Sequence, residues 1–191
     1  KIRATFVKMG VLVWVTIGDF CRLCRTNFTG WWVNFMNYDI EDKNYAKSLL
    51  PLLQDSDPEI RAQAAKWLGD IKYKEAGDQL IPVLKDEFSR ARFFAAEALG
   101  RIMYEPGINA IIELLKNNND EDAYIRHAAS LALARIGKAE PLIALSKDPS
   151  RAVRIAAVVA LRRMSHPGVA GFLNDTDEFV VTEAARAIND D

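Results

Sequence analysis

Residues 55–68 read DSDPEIRAQAAKWL, and four later segments repeat this pattern in register. The later segments are DEFSRARFFAAEAL (86–99), DEDAYIRHAASLAL (120–133), DPSRAVRIAAVVAL (148–161) and DTDEFVVTEAARAI (175–188). One place in the pattern, here called the reference position, recurs at intervals of 31, 34, 28 and 27 residues, at Arg61, Arg92, Arg126, Arg154 and Val181. A period near 30 residues is typical of a short helix pair that stacks on the next pair. The sequence therefore predicts an all-α fold, a right-handed α-solenoid of stacked antiparallel helix pairs.

Each repeat carries one apolar helix face. Apolar or small residues fall one place before the reference position and three, four and seven places after it, as in Ile60, Ala64, Ala65 and Leu68. This spacing marks one face of an α-helix, here called the second helix of its repeat. Short apolar segments predict the first helices, at 49–53, 80–84, 111–115 and 141–145. We therefore expect residues 46–191 to form four complete repeats and a truncated fifth unit.

Polar residues mark where each second helix begins. An Asp stands six residues before every reference position, at Asp55, Asp86, Asp120, Asp148 and Asp175. Residue types that cap a helix N-terminus stand four residues before it, at Asp57, Asp122, Ser150 and Asp177. Phe88 breaks this second series, and Ser89 is the alternative cap in that repeat.

The arginines of the reference position have two interpretations. They could line a groove that binds anions. Arginines at the first turn of stacked helices more often pair with carboxylates in the turn between helices. We therefore expect a structural ladder that joins the arginines to the Asp series, formed by Arg61, Arg92, Arg126, Arg154, Asp55, Asp86, Asp120, Asp148 and Asp175.

A second set of side chains is a candidate partner surface. Apolar residues or histidine occupy the places one and five after the reference position in the middle repeats, at Phe93, His127, Leu131, Ile155 and Val159. The same residues belong to the core if they face the adjacent repeat, and periodicity favours the core. His127 is then expected to be partly buried and hydrogen-bonded. Trp67 stands where the other repeats have alanine, so its ring must project into a space that is filled differently elsewhere.

Residues 1–45 differ from the rest and are predicted to be an atypical or degenerate N-terminal repeat region. The segment from Val11 to Tyr45 contains no alanine, but it holds three of the four tryptophans and both cysteines. It is either a terminal repeat with bulky residues that cover the end of the solenoid, or a segment translated out of frame. Cys21 and Cys24 have the spacing of a metal or haem site, but Arg25 stands where haem attachment needs His, so two ordinary thiols are favoured.

Composition argues against two kinds of partner. The net charge is −1, whereas a nucleic-acid-binding domain usually has a clear basic excess. The apolar run from Val11 to Ile17 is too short to span a bilayer. We expect no nucleic acid, no membrane, no metal and no cofactor. No nucleophile elbow, phosphate-binding loop or paired His-Glu metal motif is present in the sequence, which favours a protein that is not an enzyme.

The repeats resemble the HEAT-like repeats of the phycobilisome-lyase type, whose units carry an Asp-x-Asp-Pro-x-Val-Arg-x-x-Ala-Ala-x-x-Leu-Gly pattern. The resemblance runs from about Ala46 to Asn189. The segments RFFAAEALGRI, DAYIRHAASLALARI and FLNDTDEFVVTEAARAIND are also similar to the HEAT-like part of large secreted bacterial proteins that join a dehydrogenase-like β-propeller to a c-type haem module. That second resemblance implies a connector that is periplasmic or extracellular.

Together these features favour a non-catalytic scaffold that spaces flanking domains or docks a protein partner, within a longer bacterial polypeptide. The first resemblance leaves open a lyase-like protein that holds a tetrapyrrole chromophore for attachment. A HEAT-like nucleic-acid-binding protein is the third hypothesis, and it requires a basic surface along the second helices.

Overall fold

The computed structural model describes residues 43–189, which belong to one compact unit. Within this range the chain forms nine α-helices and no β-strand. The helices are α1 (Lys43–Leu49), α2 (Pro58–Asp70), α3 (Gly77–Val83), α4 (Ser89–Arg101), α5 (Ile108–Asn118), α6 (Ala123–Ile136), α7 (Ala139–Ala144), α8 (Arg151–Arg163) and α9 (Glu178–Asn189). The predictions for residues 1–42, including the cysteine pair, lie outside the described residues.

The helices alternate between short first helices and longer second helices. The second helices are α2, α4, α6, α8 and α9, and each packs against the next one along the chain. Most of the predicted apolar face is buried, and Ala65, Leu99 and Ala157 are each 0% exposed. In α9 the prediction is wrong for Ala185 and Ile188, which are exposed. The core extends without interruption from Leu49 to Ala187. The predicted all-α solenoid of helix pairs is therefore confirmed for this part of the chain.

Two glycines set how closely the second helices approach. A Cβ atom added to Gly69 of α2 would lie 2.7 Å from the Cα atom of Ala98 in α4. A Cβ atom added to Gly100 would lie 2.6 Å from the Cα atom of Ala132 in α6. Real Cβ atoms do not come so close to a backbone atom, so α2, α4 and α6 depend on glycine and alanine at their crossing points.

The first helices differ in length, and 3₁₀ helices extend or replace some of them. A 3₁₀ helix, Leu50–Gln54, continues α1, and another, Leu145–Lys147, continues α7. The fifth unit has only the 3₁₀ helix Pro167–Phe172 in this place. The longest first helix is α5, and its C-cap residue Asn119 has a left-handed conformation with φ of 41°.

Side-chain caps follow the predicted series in part. Asp57, Asp122 and Asp177 each accept a hydrogen bond from a backbone N–H of the first helical turn. Two expectations are wrong: Ser150 occupies the N-cap position of α8 without a side-chain hydrogen bond, and Ser89 lies inside α4, after Phe88 at the N-cap position. In both repeats the backbone N–H of the N-cap residue, Phe88 or Ser150, donates to the side chain of the Asp two residues earlier. The aspartate therefore stabilises the turn.

None of the helices in the described range has the length and apolar character needed to cross a membrane.

Candidate interaction surface

Arg61 ties its own repeat to the next one. Its Nη1 group donates to the backbone carbonyls of Asp55 (2.9 Å) and Ser56 (3.3 Å), in the turn before α2. The other edge of the guanidinium grips one carboxylate of the next repeat, with Nε 2.6 Å from Oδ2 of Asp86 and Nη2 2.8 Å from Oδ1. A bidentate pair of this kind fixes orientation as well as distance, so it holds the two repeats at a set angle.

Arg154 repeats this arrangement at the other end of the stack. Its Nη1 group donates to the carbonyls of Asp148 (2.9 Å) and Pro149 (3.2 Å). Its Nε and Nη2 groups donate to the carboxylate of Asp175 at 2.7 and 3.2 Å. The side chains of this pair are only 13% and 4% exposed, which shields the ion pair from solvent screening.

The paired carboxylates also organise their own turns. Oδ1 of Asp86 accepts the backbone N–H of Phe88, and Oδ1 of Asp175 accepts that of Asp177, both at 2.9 Å. The hydrogen bond from Arg61 is the largest cause that lowers the pKa of Asp86 below its ordinary value, with the Phe88 N–H acting in the same direction against the effect of burial. The aspartate is therefore held in its charged form in the folded chain.

Arg92 interrupts the expected ladder. Its Nη1 group donates to the carbonyls of Asp86 (2.7 Å) and Glu87 (3.0 Å), as the other two arginines do in their own turns. Its Nε and Nη2 groups make no hydrogen bond to any carboxylate of the described residues. Arg92 therefore holds its own turn but does not tie its repeat to the following one.

The turn between α5 and α6 explains this interruption. Asn119 and Asp120 both have positive φ angles, 41° and 69°. Oδ1 of Asp120 is 2.7 Å from Nη1 of Arg126 in the same repeat, instead of reaching back to the preceding one. In this turn the side-chain amide oxygen of Asn118 accepts the backbone N–H of Asp122 at 3.2 Å, a hydrogen bond that the turn aspartate accepts in other repeats.

The remaining members of the Asp series have other contacts. Asp148 pairs with Lys116 at 3.1 Å, so a lysine of the preceding first helix replaces the arginine of the preceding second helix. Asp55 accepts the N–H of Asp57 at 2.9 Å and forms no ion pair with another residue of the described range.

Further ion pairs between repeats escaped the sequence analysis. Arg90 bonds to Glu59, and Arg101 bonds to Asp70; both pairs are 31 residues apart and link α4 to α2. Arg151 is 2.7 Å from Asp177 and links α8 to the last turn. Opposite charges at the same place in consecutive repeats were the signal that could have found the first two pairs.

The candidate partner surface does not form one exposed stripe. Ile155 is buried in the core, and Phe93, Leu131 and Val159 are partly buried. The expectation that His127 is partly buried is wrong, because its side chain is exposed.

Three aromatic side chains are exposed on the second helices. Tyr124 on α6 is 77% exposed, Phe179 on α9 is 48% exposed and Trp67 on α2 is 44% exposed. The guanidinium carbon of Arg151 lies 5.2 Å from the ring centroid of Phe179, and Nζ of Lys66 lies 5.9 Å from that of Trp67. Tyr124 and Phe179 both stand two residues before a reference position, so they share one row of the surface.

The charge of the second helices changes along the stack. α6 and α8 contain arginines but no Asp or Glu. Carboxylates of the turns pair with Arg126, Arg151 and Arg154, and these are Asp120, Asp177 and Asp175. Glu97 of α4 lies 3.9 Å from Arg135 of α6. Within residues 43–189 no three His, Cys, Asp or Glu side chains are grouped as they would be to hold a metal ion.

Stacked helix pairs joined by arginine–aspartate pairs define an α-solenoid repeat protein. The family model for HEAT repeats matches residues 46–134 and 108–189. The chain therefore belongs to the HEAT repeat family, whose fold is a scaffold of repeated units.

Solved structures show the same likeness. The chain is similar to a structure of the complex of CpcE and CpcF of phycocyanin lyase from Nostoc sp. PCC7120, at 28% sequence identity with a TM-score of 0.54, over 75% of this chain and 63% of that chain. An engineered protein is 25% identical, with a TM-score of 0.47 over 74% of this chain and 77% of that chain. No curated protein matches the chain.

These comparisons confirm the predicted resemblance to lyase-type HEAT-like repeats. The chain spans less than two thirds of the length of the lyase chain. The resemblance to the connector of secreted dehydrogenase and haem proteins finds no support among them and stays a prediction.

Proposed function

We propose that this chain is a non-catalytic protein-interaction scaffold whose second helices form the docking surface. The observation that carries the proposal is the set of ion pairs between consecutive repeats. Arg61 with Asp86 and Arg154 with Asp175 are bidentate, and each spans the boundary between two repeats.

The bidentate pairs stiffen the two boundaries that they span, from α2 to α4 and from α8 to α9. A solenoid is held only by contacts between neighbouring units, so a hinge at any boundary would spread along the chain. Bidentate pairs resist such a hinge because both hydrogen bonds must bend together. A stiff stack presents side chains from different repeats at fixed distances, which is what docking a folded partner or spacing two flanking domains requires.

The exposed side chains suit a protein partner. Tyrosine, tryptophan and arginine contribute most of the binding energy in many protein interfaces, because they combine a large apolar area with polar groups. Tyr124 is 77% exposed on α6, a helix that carries arginines and no acidic residue. A protein surface with an apolar centre that covers this ring is the complementary partner.

A photo-crosslinking experiment in the source cells tests this proposal. Tyr124 is replaced by p-benzoylphenylalanine, and Ala170, which is exposed but lies outside the second helices, receives the same residue as a matched control. The expected result is a defined protein adduct from position 124 that is missing from position 170. The same adducts from both positions, or none from position 124, would overturn the proposal.

A lyase-like function is the second candidate, and the likeness to the CpcE and CpcF complex favours it. It requires a bound tetrapyrrole that the chain transfers to an acceptor protein. Incubation with phycocyanobilin and apo-phycocyanin, followed by absorption spectroscopy of the denatured acceptor, tests it. A covalent bilin spectrum that depends on this chain would support the lyase function and contradict the non-catalytic one.

A further inference from the structure

Three arginines at the same place in the repeat use their guanidinium groups in a common way. Nη1 of Arg61, Arg92 and Arg154 donates to two backbone carbonyls of the turn before its own helix. In Arg61 and Arg154 the opposite edge, formed by Nε and Nη2, donates two hydrogen bonds to a carboxylate of the next repeat. In Arg92 that edge bonds to none of the described residues.

The length of one turn accounts for the difference. Residues 52–61 read LLQDSDPEIR, and residues 114–126 read LLKNNNDEDAYIR. Removing Asn117, Asn118 and Asn119 from the second segment aligns Asp120 with Asp55 and Arg126 with Arg61. The three asparagines therefore carry Asp120 away from Arg92, and its carboxylate binds Arg126 instead.

We propose that the Nε–Nη2 edge of Arg92 binds a carboxylate group from an acidic side chain of a protein partner. The proposal rests on the function proposed above and assigns one contact within it. The position of this edge is fixed by the two Nη1 hydrogen bonds, which are 2.7 and 3.0 Å long. The group is therefore oriented before a partner arrives, which lowers the entropic cost of binding.

A carboxylate is the ligand that the geometry favours. The planar edge of a guanidinium group matches the two oxygens of a carboxylate, and the same chain shows this match twice. Arg92 is partly buried, so a pair formed there is less weakened by water and salt than one on an open surface. Two carboxylates of the turn before α6 have other partners, since Asp120 binds Nη1 of Arg126 and Asp122 accepts the N–H groups of Tyr124 and Ile125.

The neighbouring surface indicates a protein rather than a free anion. Among the described residues Tyr124 is the most exposed large hydrophobic side chain, and it stands on α6, the second helix that follows the helix of Arg92. Exposed aromatic rings and arginines are the residue types found at the centre of many protein interfaces.

The first experiment asks whether the edge accepts a carboxylate, without any partner. Deletion of Asn117–Asn119 should bring Asp120 into the place that Asp86 holds for Arg61. The deletion is made in the parent chain and in an Arg92→Gln chain, and each change in Tm is taken against the same chain without the deletion. We expect the change in Tm to be more positive in the parent chain than in Arg92→Gln, by at least about 2 °C. The Nε–Hε NMR signal of Arg92 should move toward that of Arg61. An equal effect of the deletion in both backgrounds, with an unmoved signal, would overturn the proposal.

The second experiment asks whether the partner uses this edge. The photo-crosslink from position 124 is repeated in Arg92→Gln and in the deletion variant, with Arg163→Gln as the control, because Arg163 is exposed at the end of α8. We expect the yield of adduct to fall at least about tenfold in the first two chains and to stay unchanged in the control.

The outcomes separate the two proposals. Loss of the adduct in both Arg92→Gln and the deletion variant supports the carboxylate contact. An adduct that persists in Arg92→Gln overturns this contact and leaves the scaffold function standing. No adduct in the parent chain overturns the scaffold function, and the deletion experiment then still decides whether Arg92 accepts a carboxylate.

Discussion

At the scale of residues, one amino acid performs two tasks. The arginine at the reference position binds the carbonyls of its own turn with Nη1 and a carboxylate of the next repeat with its other edge, as Arg61 and Arg154 show. Lysine could not replace it, because an ammonium group lacks two donor edges at a fixed angle. The stacking of repeats thus depends on a side chain whose donors are rigidly arranged.

The acid sensitivity of folding should depend on this pair. The pKa of Asp86 is lowered in the folded chain, mainly by the hydrogen bond from Arg61. A lowered folded pKa stabilises the fold above the unfolded value, near pH 4, and this stabilisation is lost as pH falls through the folded pKa. We expect Arg61→Gln to weaken that depression, so that the unfolding free energy falls less steeply below about pH 4.

Urea unfolding between pH 3 and pH 7 measures this effect, and NMR of the Asp86 carboxyl carbon reports its pKa. Arg163→Gln is the control, because Arg163 is exposed and has no contact with Asp86. If the free energy of unfolding of Arg61→Gln falls with decreasing pH as steeply as that of the parent, the pair contributes nothing to acid stability.

Residue types and spacing predicted the repeat, its buried face and its turn aspartates. They could not predict which carboxylate each arginine would reach. That choice depends on the φ angles of Asn119 and Asp120 and on three added residues. These features change where the Asp120 carboxylate points, but they leave the order of residue types in the repeat unchanged. The exposure of His127 was missed for a related reason, because a place in the repeat shared with Phe93 and Ile155 does not ensure the same depth.

At the scale of elements, the second helices pack closely because glycine and alanine stand where they cross. Gly100 and Ala132 bring α4 and α6 together, and Gly69 and Ala98 do the same for α2 and α4. Alanine normally favours a helix over glycine by roughly 1 kcal/mol. At these positions crowding opposes that preference, since the added Cβ would meet backbone.

Gly100→Ala should therefore destabilise the fold although it improves helix propensity. The added Cβ would lie 2.6 Å from the Cα atom of Ala132, and overpacking of this kind costs about 1–3 kcal/mol. Chemical denaturation followed by circular dichroism gives the free energy of unfolding. Gly171→Ala is the matched control, because nothing lies within 4 Å of its added Cβ. A Gly100→Ala chain as stable as the control would contradict the close contact between α4 and α6.

The second helices were predictable because their spacing repeats five times in register. The first helices were predicted less well, since they carry apolar residues on most sides and lack a clear period. Where the sequence suggested a helix at 141–145, the structure has α7 up to Ala144 followed by a 3₁₀ turn, which begins at Leu145. Pro141 inside that segment does not forbid helix, because it lies in the first turn.

At the scale of the whole molecule, stability should pass only between neighbours. Each repeat buries its apolar face against the next, so the core is continuous but contacts between distant repeats do not hold it. Damage at one end should therefore loosen that end first. This behaviour distinguishes a solenoid from a globule with one shared centre.

Hydrogen exchange, followed helix by helix in Phe172→Ala, tests this central claim most directly. Phe172 is 1% exposed in the fifth unit, and its truncation should cost about 3–5 kcal/mol. Leu53→Ala, at 3% exposure in the first unit, is the mirror variant. We predict that Phe172→Ala speeds exchange most in α9, less in α8 and not measurably in α2, and that Leu53→Ala reverses this order. Equal acceleration from α2 to α9 in either variant would contradict the stacked-repeat account.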